Sequence, residues 1–491
     1  MIDTQAIRNK ILDLAMCGKL TEQLPEDGTA EELYRQIQAE KQSLIKAGKI
    51  KKEEPLPEIA EKEIPFEIPT NWKWIALGNI TSKISSGNTP PGGKKSDVYV
   101  PNGFPLFREQ NIYDDGIRQA GLVYISEKLL ETRQNSTVKA KDILLNITGG
   151  SIGRCALVPN NFDRGSINQH ILIIRPVEPE IRFYIHMLIC GPYIQSHIKN
   201  NAVGDKDGFS GGRCKSIFVP LPPLAEQHRI VARIEQAFSA LDTIDALQAK
   251  YADNLTVLKS KLIDAAIQGK LTEQLPEDGT AEKLYQQIQA EKHALIKTGK
   301  IKKEKPLPEI SADEIPFEIP SNWCWCRLQS LFNFIDYRGA TPNKISEGVP
   351  FITAKNVRQG YIDYSISEYI SEEDYQKRQL RGISHKGDLL FTTEAPMGYA
   401  AIADLDRFSA GQRLITLQQY TDDHLLENKY YMYAISTPFF QKQLDDKCSG
   451  TTVKGIKADR LKQFLIPLPP LAEQKRIVES LDKFLAVCDK F

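Results

Sequence analysis

The chain has 491 residues, 41% hydrophobic and 26% charged, with 63 basic and 63 acidic side chains. This composition suits buried cores and excludes global disorder, and the length suggests about three domains at roughly 100–200 residues each. No apolar run reaches the roughly 18 residues of a membrane span. The eight cysteines are scattered, and the nearest pair, Cys324 and Cys326, lacks a CxxC spacing, so reduced thiols in a cytoplasmic protein are expected.

The first twenty residues carry Ile7, Ile11 and Leu14 at helical spacing with charges between them, which predicts a helix and not a secretion signal. A block from Gly18 to Trp74 follows. It returns at Gly269–Trp325 with 46 identities in 57 positions, at a constant offset of 251. A second block, PLPPLAEQHRIV at 220–231, returns as PLPPLAEQKRIV at 467–478. A period near 250 is too long for a solenoid, so the chain holds two copies of a whole module.

Within each copy a charged, proline-bearing arm, at 49–69 and 300–320, reads as extended and semi-rigid. Each arm ends at a tryptophan pair, Trp72 and Trp74 or Trp323 and Trp325, which together are all four in the chain. Base stacking is one reading of these pairs. Anchoring the first strand of each following core is the better one, because both pairs belong to the repeated frame.

Between the frames lie two stretches with little mutual identity, 72–219 and 323–466. They share sparse landmarks: GNTP at 87–90 and GATP at 339–342, PLFREQNI at 105–112 and PFITAKNV at 350–357, DILLNITGGSIGR at 142–154 and DLLFTTEAPMGY at 388–399, Gln169 and Gln412. Asn146 and Gly149–Gly153 are expected to shape a turn. Residues 72–220 hold 18 basic against 12 acidic side chains, and residues 323–467 hold 18 against 17. The variable stretches are thus the basic part of a neutral chain, the first more than the second.

From Glu226 the positions Ile230, Ile234, Ala237, Leu241 and Ile244 form a heptad seam, resumed after a register shift by Tyr251, Leu255, Leu258, Leu262 and Ala265. A helix from about 226 to 267, stopped by Gly269, would be roughly 63 Å long. A shorter helix is predicted over 281–297, with Leu284, Ile288 and Leu295 on one face. Near the end, Ile477, Leu481, Phe484, Cys488 and Phe491 repeat the seam. In repeat register Phe491 matches Ile244 and Met1 matches Ala252, so the two terminal helices rebuild the long one with seven residues missing. The expected architecture is α+β: two globular mixed α/β domains joined by two long antiparallel, coiled-coil-like helical regions in a pseudo-twofold, circularly closed arrangement. The expected segments are 1–70 (helix and arm), 71–219 (first variable domain), 220–321 (central helices and arm), 322–466 (second variable domain) and 467–491 (helix).

Catalytic signatures are missing from the sequence. GNTPPGGKKS fails GxxxxGK[ST], no HExxH or GxSxG occurs, and PLPPLAEQ and TPPGG do not supply the Pro-Pro-aromatic loop of amino-methyltransferases. No catalytic, cofactor or metal residue is expected.

With two diverged domains of about 150 residues, two long-helix frames, the twice-used PLPPLAEQ-x-RIV and the GKL…IKKEKPLP segment, the chain resembles the DNA specificity subunit of Type I restriction–modification systems over its whole length. The resemblance implies that each variable domain is a target recognition domain reading one half of a split double-stranded DNA site. It implies that the helices space the halves and dock two methyltransferase subunits, with restriction/translocase subunits joining that core. AdoMet, ATP and Mg would belong to those partners. A scaffold binding protein or glycan ligands, and a fused restriction–modification enzyme, remain the alternatives; the basic first domain and the missing motifs weigh against them.

Side chains able to pair with base edges are Arg108, Gln110 and Asn111 at one strand end and Lys355, Asn356 and Arg358 at the equivalent place. Arg154, Asn168, Gln169, His170, Gln412 and Arg413 lie near the other landmarks. Lys94, Lys95, Lys206, Lys454 and Lys457 sit in Gly-rich loops and would suit phosphates.

Overall fold

The computed structural model describes residues 1–490 except 55, 57–58, 91–97, 202–208, 338–340, 422–423 and 450–453. It divides into two compact units, Met1–Gln248 and Ala249–Phe491.

In the first unit, strand Lys73–Ala76 pairs antiparallel with Phe218–Leu221, closing the variable domain where it joins the frame. Inside lie two sheets. One is four-stranded and antiparallel, in the order Cys155–Leu157, Ile143–Asn146, Ile171–Pro176, Thr81–Ser86. The other is five-stranded and holds one parallel pairing, Phe104–Phe107 with Arg164–Ile167. The central strand Ile143–Asn146 is buried on both faces, which its continuous apolar run anticipates. Ile143 and Leu145 pack with the frame and with helix Arg182–Cys190, whereas Leu144, Ile171 and Ile173 pack with Phe107 and Ile167 of the second sheet. The two-residue alternation of a strand thus joins both layers.

The second unit repeats this plan with other residues. Cys324–Arg327 pairs with Leu465–Leu468. The four-stranded sheet runs Ala400–Ile402, Leu389–Thr392, Leu414–Gln418, Asn333–Asp336, the same order as in the first unit. The second sheet again has one parallel pairing, Val349–Ile352 with Ser409–Ala410. Leu389, Phe391, Ile415 and Leu417 face the frame; Leu390 and Leu414 face the second sheet.

The repeated frame is held by one buried carboxylate per unit. The Glu226 carboxylate accepts from Trp72 Nε1 at 2.8 Å, Gln23 Nε2 at 2.8 Å and Thr21 Oγ1 at 3.1 Å. The Glu473 carboxylate accepts from Trp323 at 2.8 Å, Gln274 at 2.9 Å and Thr272 at 3.1 Å. Arg229 pairs with Asp27 and Arg476 with Asp278. The Glu and the Arg of each AEQ-x-R motif therefore bond the other repeated block, while its Gln donates to a proline carbonyl of its own block, Pro222 or Pro469. Trp74 packs on Phe66 and Tyr193, Trp325 on Phe317 and Phe439, so all four tryptophans anchor the domain cores. Gly18 and Gly269 end their helices at φ +69° and +72°, and a Cβ on either would stand 2.4 Å from a proline Cγ, of Pro69 or Pro320.

The long helix spans Leu224–Ile267 and the shorter one Ala281–Lys297. Ile230, Ile234 and Leu241 are buried and Ala237 and Ile244 half-buried, as the heptad predicts. The second half of the seam is different. Tyr251 and Leu258 are each 46% exposed, and the inward positions are Leu255, Lys259, Leu262 and Ala266. In the first helix, Thr4–Met16, Ile7 is likewise exposed, while Thr4, Arg8, Leu12 and Ala15 face inward. The seam is partly polar. Thr4 donates to Asp245 at 2.6 Å, and Arg8 binds Asp242 at 2.8 Å and Asp245 at 2.9 Å. Lys259 and Asp489 make the equivalent ion pair in the second unit. A search for apolar spacing passes over these positions.

Candidate nucleic-acid interface

Among the described residues, Arg108–Asn111 and Asn168–His170 follow strands Phe104–Phe107 and Arg164–Ile167 of the second sheet, and Lys355–Arg358 and Gln412–Arg413 follow Val349–Ile352 and Ser409–Ala410 in the second unit. In the first unit, strand Phe104–Phe107 runs into a tight turn at Glu109–Asn111. Asn111 makes that turn. Its side-chain oxygen accepts from the Arg108 amide at 3.0 Å, and its Nδ2 donates to the carbonyls of Arg118 and Ala120. Asn356 does the same in the second unit, accepting from the Thr353 amide at 3.0 Å and donating to Asp363 and Ile366. Both asparagines are essentially unexposed, at 0% and 1%. Their side chains are spent on bracing this edge from within, a correction to their nomination as base readers from residue type alone. What the two turns present outward is Gln110 in one and Lys355 in the other, at the same register position.

Arg108 folds back, its guanidinium donating to the Gly121 carbonyl. Gln110 Nε2 lies 3.5 Å from the same oxygen. Arg358 donates to the Lys355 carbonyl at 2.6 Å and pairs with Asp363 at 3.2 Å. Arg154 lies over the ring of Tyr113, 4.5 Å from its centroid, and Arg118 lies 4.9 Å from the same centroid. Asn168 is buried and its Nδ2 donates to Glu109 at 2.9 Å, so it too is a brace. Burial works against the charge of Glu109, but the bond from Asn168 and its own backbone hold the carboxyl below its usual range. The turn Asn146–Gly153 is as expected: Asn146 is buried, donating to the Glu109 carbonyl and to Ser151, with Gly149 and Gly153 at positive φ.

The sparse landmarks meet. Thr89 of GNTP bonds the side chain of Gln169, and Thr341 of GATP donates to Gln412 Oε1 at 2.8 Å. The same clasp is thus built twice in domains of little shared sequence. Beside it stand His170 in one unit and Arg413 in the other, the latter exposed and 3.5 Å from Glu394. Lys454 is exposed, 3.9 Å from Asp445, and Lys457 is exposed at the start of the short helix Ala458–Leu461. Lys94, Lys95 and Lys206 lie outside the described residues.

Two arginines passed over in the sequence complete the edges, one in each unit. Arg133, 6% exposed, donates to Ser166 Oγ at 3.0 Å, to the Ile167 carbonyl at 3.0 Å and to the Asn88 carbonyl. Arg378, 5% exposed, donates to Ser409 Oγ at 2.9 Å and to the Ala410 carbonyl. Arg133 follows the short helix Glu127–Glu131 and Arg378 lies in helix Glu372–Gln379, and each ties a strand end to its segment. An isolated arginine in or just after a short helix has no sequence signature, so only the equivalence of the two units reveals it.

The family model of the Type I restriction modification DNA specificity domain matches residues 69–250 and again 320–491. The chain belongs to this family. It is 28% identical to the Type I restriction enzyme EcoAI specificity subunit of Escherichia coli, over 99% of this chain and 89% of that one. It is 27% identical to the EcoEI specificity subunit of Escherichia coli over the same shares. A solved chain from work on complex assembly and conformational transition of the type I R-M system shares the fold, with a TM-score of 0.56, 20% identity, and coverage of 87% of this chain and 93% of that one. Both relatives are named as specificity subunits of Type I restriction enzymes. No helix among the described residues is long and apolar enough to cross a membrane.

Proposed function

We propose that each unit of this specificity subunit reads one half of a bipartite double-stranded DNA site, and that the chain directs methylation and restriction carried out by partner subunits. The observation that carries the reading is the doubled edge: the same asparagine turn, threonine–glutamine clasp and buried arginine, presenting Gln110 and His170 in one unit and Lys355 and Arg413 in the other. A common scaffold with exchanged outward side chains is what two readers of different half-sites require. Gln110, Gln169, His170, Lys355, Gln412 and Arg413 are the base-reading side chains in this proposal; Arg108, Arg154, Arg358, Lys454 and Lys457 serve the backbone, with Lys94, Lys95 and Lys206.

The near-identical frame offers one surface twice, which suits two identical methyltransferase subunits. Exposed Leu247, Tyr251, Val257 and Leu258 on the long helix favour a helical docking surface there. Restriction/translocase subunits would join that core, and AdoMet, ATP and Mg would enter with the partners. A DNA substrate places the work in the cytoplasm. Circular closure is part of this proposal; within the first unit Thr4 bonds Asp245 and Ile2 bonds Gln248, and within the second Asp489 pairs with Lys259, the contacts such closure requires of each unit by itself.

The test is assembly followed by methylome sequencing. The single chain should neither methylate nor cleave DNA, and with its cognate methyltransferase subunit it should form a two-to-one complex that modifies a split site. Exchange of residues 72–219 for another family member's domain should change one half-site only. Methylation by the single chain, or a change in both half-sites, would refute the reading.

A further inference from the structure

Behind Arg154 lies a cluster that DNA reading does not require. Cys155 opens the edge strand of the four-stranded sheet, and its amide donates to Asp114 Oδ1 at 2.9 Å. His186 and Cys190 stand one turn apart on helix Arg182–Cys190, on the face packed against that strand. His186 Nε2 is 2.9 Å from the Cys155 carbonyl oxygen and 3.7 Å from Cys190 Sγ. Both Cys190 and His186 are half-buried, and Cys155 is fully buried. The second unit has none of this. Strand register matches Cys155 to Ala400. The tyrosine bonds Tyr184–Pro220 and Tyr430–Pro467 match His186 to Met432 and Cys190 to Ser436.

The three groups divide the roles of a reactive dithiol. The neighbouring Cys155 thiol, then the His186 ring, lower the Cys190 thiol from its ordinary value against its burial. Burial works against charging His186, but the Cys190 sulfur and the Cys155 carbonyl raise the ring to about 9. Burial and the Cys190 sulfur keep Cys155 protonated. Asp114 is the acidic group facing the cluster, and Cys214, pushed up to about 12 by burial, is a protonated bystander. The thiolate is the nucleophile and an adjacent thiol the resolving group.

We propose that Cys190, His186 and Cys155 form a peroxide-reactive site that closes to a disulfide behind Arg154 and weakens DNA engagement by the first unit. The chemistry of closure takes two steps. The Cys190 thiolate attacks a hydroperoxide oxygen; the S–O bond forms, the O–O bond breaks, and the leaving oxygen takes the His186 proton. The Cys155 sulfur then displaces the Cys190-bound hydroxide; the S–S bond forms, the S–O bond breaks, and the Cys155 proton leaves with it as water. Two thiols lose two electrons and the peroxide is reduced. A bonded sulfur pair of about 2.05 Å draws the strand toward the helix, and Arg154, the preceding residue, moves off Tyr113.

The effect on DNA rests on the proposed function; the thiol chemistry does not. In the full chain assembled with its methyltransferase subunits, iodoacetamide labelling of each cysteine is followed against pH by peptide mass spectrometry. Cys190 should label with a midpoint clearly below the about 8.5 of an ordinary thiol, and His186→Gln should raise it. Hydrogen peroxide should give a Cys155–Cys190 disulfide, and Cys155→Ser should leave a trappable sulfenic acid instead. Binding to the mapped target duplex should fall several-fold on oxidation, recover with a thiol reductant, and be insensitive in Cys190→Ser. A Cys190 midpoint near that of Cys448 and Cys488, or no such disulfide, overturns the site. A disulfide that leaves DNA binding unchanged overturns the coupling to Arg154. A reduced complex that binds no DNA overturns the reading of function alone.

Discussion

Asp142 and Asp388 occupy the same buried position before the central strand of their sheets, yet have different partners. Arg175 grips Asp142 through two bonds of 2.6 and 2.7 Å. At the position of Arg175 the second unit carries Gln418, whose amide reaches Asp388 at 2.9 Å. Burial therefore pushes the Asp388 carboxyl up to about 6, outweighing the bonds from the His385 amide and Gln418. A carboxyl with a raised folded pKa binds its proton more tightly folded than unfolded, so stability falls as pH rises between about 4 and 6 and stays lowered above. Gln418→Arg should restore the ion pair and remove that loss. Thermal unfolding from pH 4 to 8 should show a gain for the variant that grows through this window to about 1–3 kcal/mol. A gain independent of pH would point to packing instead. At this scale the sequence shows an aspartate in both copies but not its partner, which comes from a strand about thirty residues away.

At the scale of elements, the helices carry most of what was legible. The long helix, its stop at Gly269 and the shorter helix lie where periodicity and glycine place them, because those signals are local. The seam through its second half was not legible. Thr4, Arg8 and Lys259 are inward-facing polar residues matched to aspartates on the neighbouring helix, while Tyr251 and Leu258 face out. The equivalence of the Arg8–Asp242 and Lys259–Asp489 pairs underlies a prediction about connectivity. A permutant that links residues 491 and 1 with about seven residues, and opens the chain within 245–251, should fold and bind its methyltransferase subunit, because every paired helix is retained. Size-exclusion chromatography of the reconstituted complex checks this; a folded permutant that fails to assemble would show that the terminal helices do not stand in for the middle of the long one.

For the molecule as a whole, the proposed spacing of half-sites depends on the long helix as a ruler. Four residues inserted near its middle add about 6 Å, or one to two base pairs at roughly 3.4 Å each. Methylome mapping of the active variant should show the spacer longer by that amount; an active variant with an unchanged spacer would move the ruler to the arms at 49–69 and 300–320. The insertion also turns one unit around the duplex, so a seven-residue insertion, which keeps the heptad in phase, is the paired variant to map.

Repeats, periodicities and the AEQ-x-R motif are properties of neighbouring residues in the chain, and from them the sequence alone determined the doubled module, the helical frame and the family. Which polar side chains face outward and which brace was decided only by the tertiary structure. Asn111, Asn168 and Asn356 have the residue type of a base reader, but each lies where carbonyls and carboxylates from other segments consume its hydrogen bonds. Thr89 and Thr341 acquire their role by reaching glutamines 80 and 71 residues away. Arg133, Arg378 and the Cys155–His186–Cys190 cluster likewise exist as sites only through packing between segments, because a buried polar group must be satisfied by whatever the fold brings within reach.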